Sequence, residues 1–84
     1  MPVNKTSYTE LVNKIIDSQE YIIGPLALDI SKGITNIDKP DKNTVENLVL
    51  EYQKLFGQAS VETCKDALRS IDLTGLALPS ILTD

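Results

Sequence analysis

Cys64 is the one strong nucleophile that the sequence contains. A reactive cysteine needs a partly exposed, electropositive setting that lowers the pKa of its thiol, whereas the two residues after Cys64 are a lysine and an aspartate of opposite charge. Cys64 also falls on an apolar helical stripe with Ala67 and Leu68, and free cysteines usually behave as small buried core residues. The sequence therefore predicts a structural role for Cys64.

Histidine is absent from the sequence, and its absence removes several kinds of chemistry together. Histidine is the usual general base near neutral pH, the usual activator of a serine or cysteine nucleophile and the commonest zinc ligand. Ser-His-Asp and Cys-His sites are therefore excluded. General acid–base and metal catalysis would rest on carboxylates alone, so we expect no catalytic residues and a protein that is not an enzyme.

Two aspartates in a polar stretch, Asp38 and Asp41, raise the question of a calcium loop. An EF-hand needs oxygen ligands at fixed alternate positions, a central glycine and a terminal glutamate, and the pattern fails whether it starts at Asn36 or at Asp38. The four glycines, at positions 24, 33, 57 and 75, are too dispersed for a phosphate-binding loop. We expect no metal, no cofactor and no nucleotide site.

Charge and composition narrow the partners and the compartment. The net charge is −4 and the eight cations are spread along the chain without forming a basic stripe, so nucleic acid is not an expected partner. No apolar run has the length of a signal peptide core or a membrane span. A single cysteine cannot form an internal disulfide. These features predict a soluble, cytoplasmic protein with no membrane partner.

The first predicted element is a helix over residues 8–23. Ser7 and Glu10 have the spacing of a capping box, in which the Ser7 hydroxyl accepts from the backbone N–H of Glu10. Apolar residues then recur at helical spacing on one face. That face comprises Tyr8, Leu11, Val12, Ile15, Ile16, Ile22 and Ile23.

Gly24-Pro25 interrupts this pattern, because proline lacks an N–H and its ring crowds the preceding turn of a continuing helix. Proline suits the first position of a new helix, so a second short helix is predicted over residues 25–32. Gly33 then suits a left-handed residue after its end, with Ile34 folding back. The polar stretch up to residue 42 is predicted to be a surface loop.

Two apolar stripes follow, over residues 44–56 and 60–71, with Asn43 as the predicted N-cap of the first. The second stripe is rotated by roughly 120° from the first, which leaves two interpretations. The chain breaks at Gly57 and restarts with Ser60 as N-cap, or one kinked helix of about 42 Å runs from 44 to 71 and needs a second subunit to cover its ends. The stop and start signals favour the break.

The tail from residue 73 to 82 contains five large aliphatic residues and is predicted to dock, with a final helical turn started by Pro79. The sequence thus predicts one all-α domain over residues 1–84, a compact bundle of four or five short helices. Small residues at Gly57, Ser60 and Cys64 would let another helix approach closely. With the apolar tail, they suggest more apolar surface than one small core buries.

The function predicted from these features is that of a non-catalytic helical module. It would act through protein–protein interaction, as a regulatory or adaptor protein, and it would associate with a second copy as a homodimer or with another protein. The alternative is a sensor or carrier domain. A bundle rich in isoleucine and leucine with few aromatic residues can leave an apolar cavity between its helices for a small molecule.

Overall fold

Five α-helices form the computed structural model, which describes residues 7–73 and 75–83. They are α1 (Tyr8–Ile23), α2 (Leu26–Lys32), α3 (Lys42–Phe56), α4 (Gln58–Leu68) and α5 (Ser80–Thr83). No strand occurs within the described ranges. The prediction of an all-α bundle of short helices is confirmed.

Helix α1 begins and ends where the sequence predicts. The Ser7 hydroxyl accepts a hydrogen bond of 3.1 Å from the backbone N–H of Glu10 and donates one of 3.5 Å to the Glu10 carboxylate. At the other end, Gly24 has a φ of 73°, a left-handed conformation that favours glycine. Its N–H donates to the carbonyl of Glu20 at 2.8 Å, and the chain turns there towards α2.

Helix α2 starts one residue later than predicted, because Pro25 occupies the N-cap position. The predicted left-handed Gly33 is wrong: its φ is −84°, and the chain continues in a right-handed turn. The N–H of Ile34 donates to the carbonyl of Ser31 at 3.0 Å, a three-residue bond that tightens the helix end without reversing it. The positive φ, 64°, falls instead on Asn36 in the loop.

Helix α3 starts at Lys42, and its N-cap is Asp41. The prediction of Asn43 as the cap is therefore wrong. The Asp41 carboxylate accepts from the backbone N–H of Thr44 at 2.9 Å, while the Thr44 hydroxyl accepts from the N–H of Asp41 at 3.2 Å. This reciprocal pair satisfies two N–H groups at the helix start. Hydrogen bonding to Thr44, mainly from its backbone N–H, holds the pKa of Asp41 below its usual value.

Gly57 alone joins α3 to α4, so the predicted break is confirmed and the unbroken helix from 44 to 71 does not form. Its φ of 83° lets the chain turn within a single residue. Because α4 restarts at Gln58, Ser60 lies inside the helix and is buried, and its prediction as N-cap is wrong. Helix α4 ends at Leu68, three residues before the predicted end at 71. The restart also explains the rotated apolar stripe.

The tail docks on the helices, as predicted. Leu82 is buried, and Leu73, Leu76, Leu78 and Ile81 are partly buried against the core. The predicted final helical turn forms as α5, directly after Pro79, and the N–H of Leu82 donates to the Pro79 carbonyl at 3.0 Å. The chain therefore covers its own apolar tail, so the tail does not itself call for a second subunit.

The core lies between α1, α3 and α4, with α2 packed on α1 and α3 and with α5 packed on α3 and α4. No helix in the described part of the chain is long and apolar enough to cross a membrane. The buried apolar side chains are Leu11, Val12, Ile15, Ile16, Ala27, Val45, Leu48, Val49, Tyr52, Val61, Cys64, Leu68 and Leu82.

Candidate functional site

An exposed apolar surface lies at the turn between α1 and α2. Residues 21–28 contain no charged side chain, and four large side chains among them are exposed: Tyr21 at 94%, Ile22 at 59%, Leu26 at 49% and Leu28 at 44%. We call these four residues the corner surface. Single exposed aliphatic side chains are ordinary on a protein surface, but several large ones around one turn make that turn a candidate binding surface.

The Gly24-Pro25 turn separates the two halves of the corner surface, with Tyr21 and Ile22 on α1 and Leu26 and Leu28 on α2. Ile22 belongs to the face of α1 that the sequence predicted to be in the core, and the structure shows that this prediction is wrong for Ile22. After the turn, the residues of α2 that face inward are Ala27 and Ser31. The phase of α1 is therefore not continued in α2, and the large residue Leu26 points away from the core.

A small apolar cleft of about 260 Å³ lies beside the corner surface. We call it the end cleft, because it is formed where the end of α1, the end of α3 and the first turns of α4 meet. Ile22 belongs to both the cleft and the corner surface. The lining residues are Ile22, Ile23, Phe56, Ala59, Ser60 and Thr63, and none of them carries a charge.

A buried polar contact between α1 and α4 involves Ser60, one of the residues that line the end cleft. The side chain of Gln19 is 0% exposed. Its amide Nε2 donates to the backbone carbonyl of Ser60 at 3.1 Å and to the Sγ of Cys64 at 3.3 Å. Its Oε1, although buried, has no hydrogen-bond partner. Buried polar atoms are rarely left unpaired in folded proteins, so this oxygen calls for an explanation.

Cys64 is fully buried, as predicted. Burial raises the pKa of its thiol to about 11, opposed by the hydrogen bond from Gln19. The thiol is therefore protonated near neutral pH and is a poor nucleophile. Ser60 and Cys64 are small residues that were predicted to let another helix approach. In the structure, both contact the side chain of Gln19 from α1 of the same chain.

Tyr52 fixes α2 against α3. Its hydroxyl, on a fully buried side chain, donates to the carbonyl of Ala27 at 2.7 Å. Burial raises the pKa of this hydroxyl, and the neighbouring Cys64 adds to the rise. This contact helps to hold the short α2 helix in place, and with it Leu26 and Leu28 of the corner surface.

The remaining sequence candidates are not brought together. Asp41 is the cap of α3 and Asp38 is exposed in the loop. In the ranges that the structure describes, no three histidine, cysteine or carboxylate residues are grouped as metal ligands. Sequence reasoning missed Gln19. The signal was a polar residue that continues the apolar series of Leu11 and Ile15 at four-residue spacing.

A second depression, of about 400 Å³, lies between α4 and the tail. Leucines 68, 73, 78 and 82 line it, with two cations at its edge. Both cations are engaged on α4: Lys65 lies 3.6 Å from the Glu62 carboxylate, and Arg69 lies 3.5 Å from the Asp66 carboxylate. We call this depression the leucine groove. Among the residues that the structure describes, the buried side-chain atom without a hydrogen-bond partner is Oε1 of Gln19, which does not line this groove.

Comparison with known proteins gives one partial relationship. No family model and no solved structure matches the chain. A curated protein, the adenine phosphoribosyltransferase of Halothermothrix orenii (strain H 168), is 36% identical over 58 residues, which are 68% of this chain and 34% of that enzyme. The chain thus spans about a third of the length of the relative it matches.

Proposed function

We propose that this chain is a small, non-catalytic helical protein that acts in the cytoplasm through protein–protein interaction, as a self-associating regulatory or adaptor module. The observation that carries the proposal is the corner surface. Four large apolar side chains, among them a tyrosine with 94% exposure, lie within eight uncharged residues. Tyrosine is enriched at protein interfaces because its ring offers a large apolar area and its hydroxyl tolerates water.

The size of the corner surface supports a reversible dimer. Together the four side chains expose roughly 500 Å², but Leu26 and Leu28 are two positions apart on α2 and do not share one face. Two copies paired about a twofold axis would therefore bury less than roughly 1,000 Å² in total, which is in the range of weak, transient interfaces. We therefore expect dissociation constants in the micromolar range.

Charge adds a condition to this pairing. The whole chain carries a net charge of −4, so two copies repel each other, whereas the corner surface itself is uncharged. Salt screens the repulsion between exposed charges and does not weaken apolar burial. The dimer should therefore become stronger as the salt concentration rises. An interface built on ion pairs would show the opposite dependence.

The non-catalytic part of the proposal rests on side-chain chemistry. The sequence has no histidine, and the one cysteine is buried with a raised pKa. A single buried thiol is also compatible with a reducing compartment such as the cytoplasm. The proposal does not extend the activity named for the relative, adenine phosphoribosyltransferase, to a chain that spans a third of that enzyme. Formation of a phosphoribosylated product from adenine by this chain would contradict the proposal.

Sedimentation velocity over micromolar to millimolar protein concentrations tests the self-association. The wild-type mass should rise from monomer to dimer. Leu26→Lys, in the corner surface, should raise the dissociation constant about tenfold or more, because a charge replaces apolar contact area. The matched control is Leu50→Lys, which places the same charge at a leucine of α3 with 42% exposure. A wild-type protein that stays monomeric, or two lysine variants with equal effects, would contradict the proposal.

A further inference from the structure

We propose that the end cleft binds a small, neutral, apolar molecule that carries one O–H or N–H group, and that this group donates a hydrogen bond to Oε1 of Gln19. The proposal does not depend on self-association. It rests on the cleft and on the unpaired oxygen of Gln19, whose amide bonds to the cleft residue Ser60.

The orientation of the Gln19 amide is set by its neighbours. The backbone carbonyl of Ser60 can only accept a hydrogen bond, so the amide nitrogen must face it, at 3.1 Å. The second N–H of the same nitrogen points at the Sγ of Cys64, at 3.3 Å. A flipped amide would place two acceptors against each other. Oε1 is therefore the atom left without a partner, and it requires a donor.

The unpaired oxygen lies close to the cleft. The nitrogen and oxygen of an amide are about 2.3 Å apart, so Oε1 lies within about 5.4 Å of the Ser60 carbonyl oxygen. Ser60 itself lines the cleft. Ile23, which also lines it, stands one helical turn after Gln19 on the same face of α1. Gln19 itself does not line the cleft and is fully buried, so binding at Oε1 requires the lining side chains to move, for example by a rotamer change of Ile23.

The lining of the cleft selects the class of ligand. No charged residue lines the cleft, and most of the lining side chains are aliphatic or aromatic. The cleft therefore favours a neutral, apolar ligand. Its volume of about 260 Å³ suits a molecule of one or two rings. The Thr63 hydroxyl already donates to the carbonyl of Ala59 at 3.0 Å. Phenols and indoles have this combination of an apolar ring and a single donor.

Phenol and toluene form a matched pair of probes, because they differ only in a hydroxyl in place of a methyl group. We would titrate each into ¹⁵N-labelled protein and follow the signals of the backbone and of the Gln19 side-chain amide. Phenol should shift the Gln19 amide and the residues that line the end cleft, with saturation. Its dissociation constant should be about tenfold lower than that of toluene, as expected for one buried hydrogen bond.

Gln19→Met removes the acceptor and keeps a side chain of similar length. In this variant, the preference for phenol over toluene should disappear while toluene binding persists. Gln53→Met is the matched control: its side-chain amide, at the surface, bonds to Gln58 at 3.1 Å, and the preference for phenol should be unchanged. Comparison of the two probes on the wild-type protein keeps the test decisive even when Gln19→Met does not fold.

Three outcomes would overturn the proposal. The first is equal affinity of the wild-type protein for phenol and toluene. The second is saturable shifts at the leucine groove without shifts at the end cleft. The third is a long-lived water at the Gln19 amide, detected through its cross-relaxation with the side-chain protons, that phenol does not displace. In that case a buried water alone satisfies the oxygen.

Discussion

Replacement of Tyr52 by phenylalanine isolates one buried hydrogen bond. The tyrosine side chain is fully buried, and its hydroxyl donates to the carbonyl of Ala27 at 2.7 Å. Phenylalanine fills nearly the same volume, so the ring keeps its packing in the core and the change leaves almost no cavity. The substitution removes only the hydrogen bond between Tyr52 of α3 and Ala27 of α2.

The expected loss in the free energy of unfolding is about 1 to 1.5 kcal/mol, the net contribution of a typical buried hydrogen bond. A domain of this size is stable by roughly 4 to 13 kcal/mol in total. The melting temperature should therefore fall by about 4 to 12 °C. Urea unfolding and thermal melting, followed by circular dichroism, would measure both quantities.

Tyr21→Phe is the matched control, because the same hydroxyl is removed from a side chain with 94% exposure. Its free energy of unfolding should change by less than about 0.5 kcal/mol, provided that both proteins are studied at concentrations too low for association. Equal stability losses in the two variants would refute the reasoning. They would show that the hydroxyl of Tyr52 does not hold α2 on the core.

Three further predictions concern stability. Gly57→Ala should lower the free energy of unfolding, measured in urea, by about 1 to 2 kcal/mol. The cause is the φ of 83°, because an added Cβ would meet no atom within 4 Å. Gly33, at a φ of −84°, is the control, and Gly33→Ala should be neutral or slightly stabilising. Since folding raises the pKa of the Cys64 thiol from 9.0 to about 11, the unfolded state loses its proton first as the pH rises. Stability should therefore fall between pH 9 and 11, and it should fall less steeply in Cys64→Ala when unfolding is measured across that range. Deletion of residues 73–84 removes the tail that covers the core, and it should lower the melting temperature and produce larger particles in light scattering. An unchanged melting curve would contradict the docking of the tail.

The helices could be predicted from local signals. Ser7 was identifiable as a cap because a glutamate stands three residues later, and the resulting bounds of α1 agree with the structure. Gly57 was identifiable as a break because glycine alone adopts its left-handed conformation without strain. In both cases a local group determines the outcome: the side-chain hydroxyl of Ser7 and the backbone conformation of Gly57.

The wrong caps show where local signals compete. Asp41 and Asn43 both have side chains that can accept from a helix start, and the sequence alone favoured the second. Asp41 is the cap in the structure, where its carboxylate accepts from the N–H of Thr44 and its own N–H donates to the Thr44 hydroxyl. Ser60 is not a cap because α4 begins directly after Gly57. The serine therefore lies within the first turn of α4, where it is buried.

The candidate site was less predictable than the helices. The exposure of Ile22 and Leu26 depends on the angle at which α2 leaves the Gly24-Pro25 turn, and no residue spacing records that angle. Gln19 could have been noticed as a polar residue on an apolar face. Its unpaired oxygen, however, depends on where α4 places the Ser60 carbonyl, which is a tertiary contact.

The hydrogen bond from Tyr8 to Ala77 has a consequence for chain connectivity. The Tyr8 hydroxyl donates to the carbonyl of Ala77 at 2.9 Å, across 69 positions of sequence, so the start of α1 and the tail lie side by side. A flexible linker from the end of α5 to the start of α1 could therefore close the chain, and new termini could be opened in the exposed loop between α2 and α3. Such a circular permutant should fold to the same bundle, because every helix keeps its neighbours and only the order of connection changes.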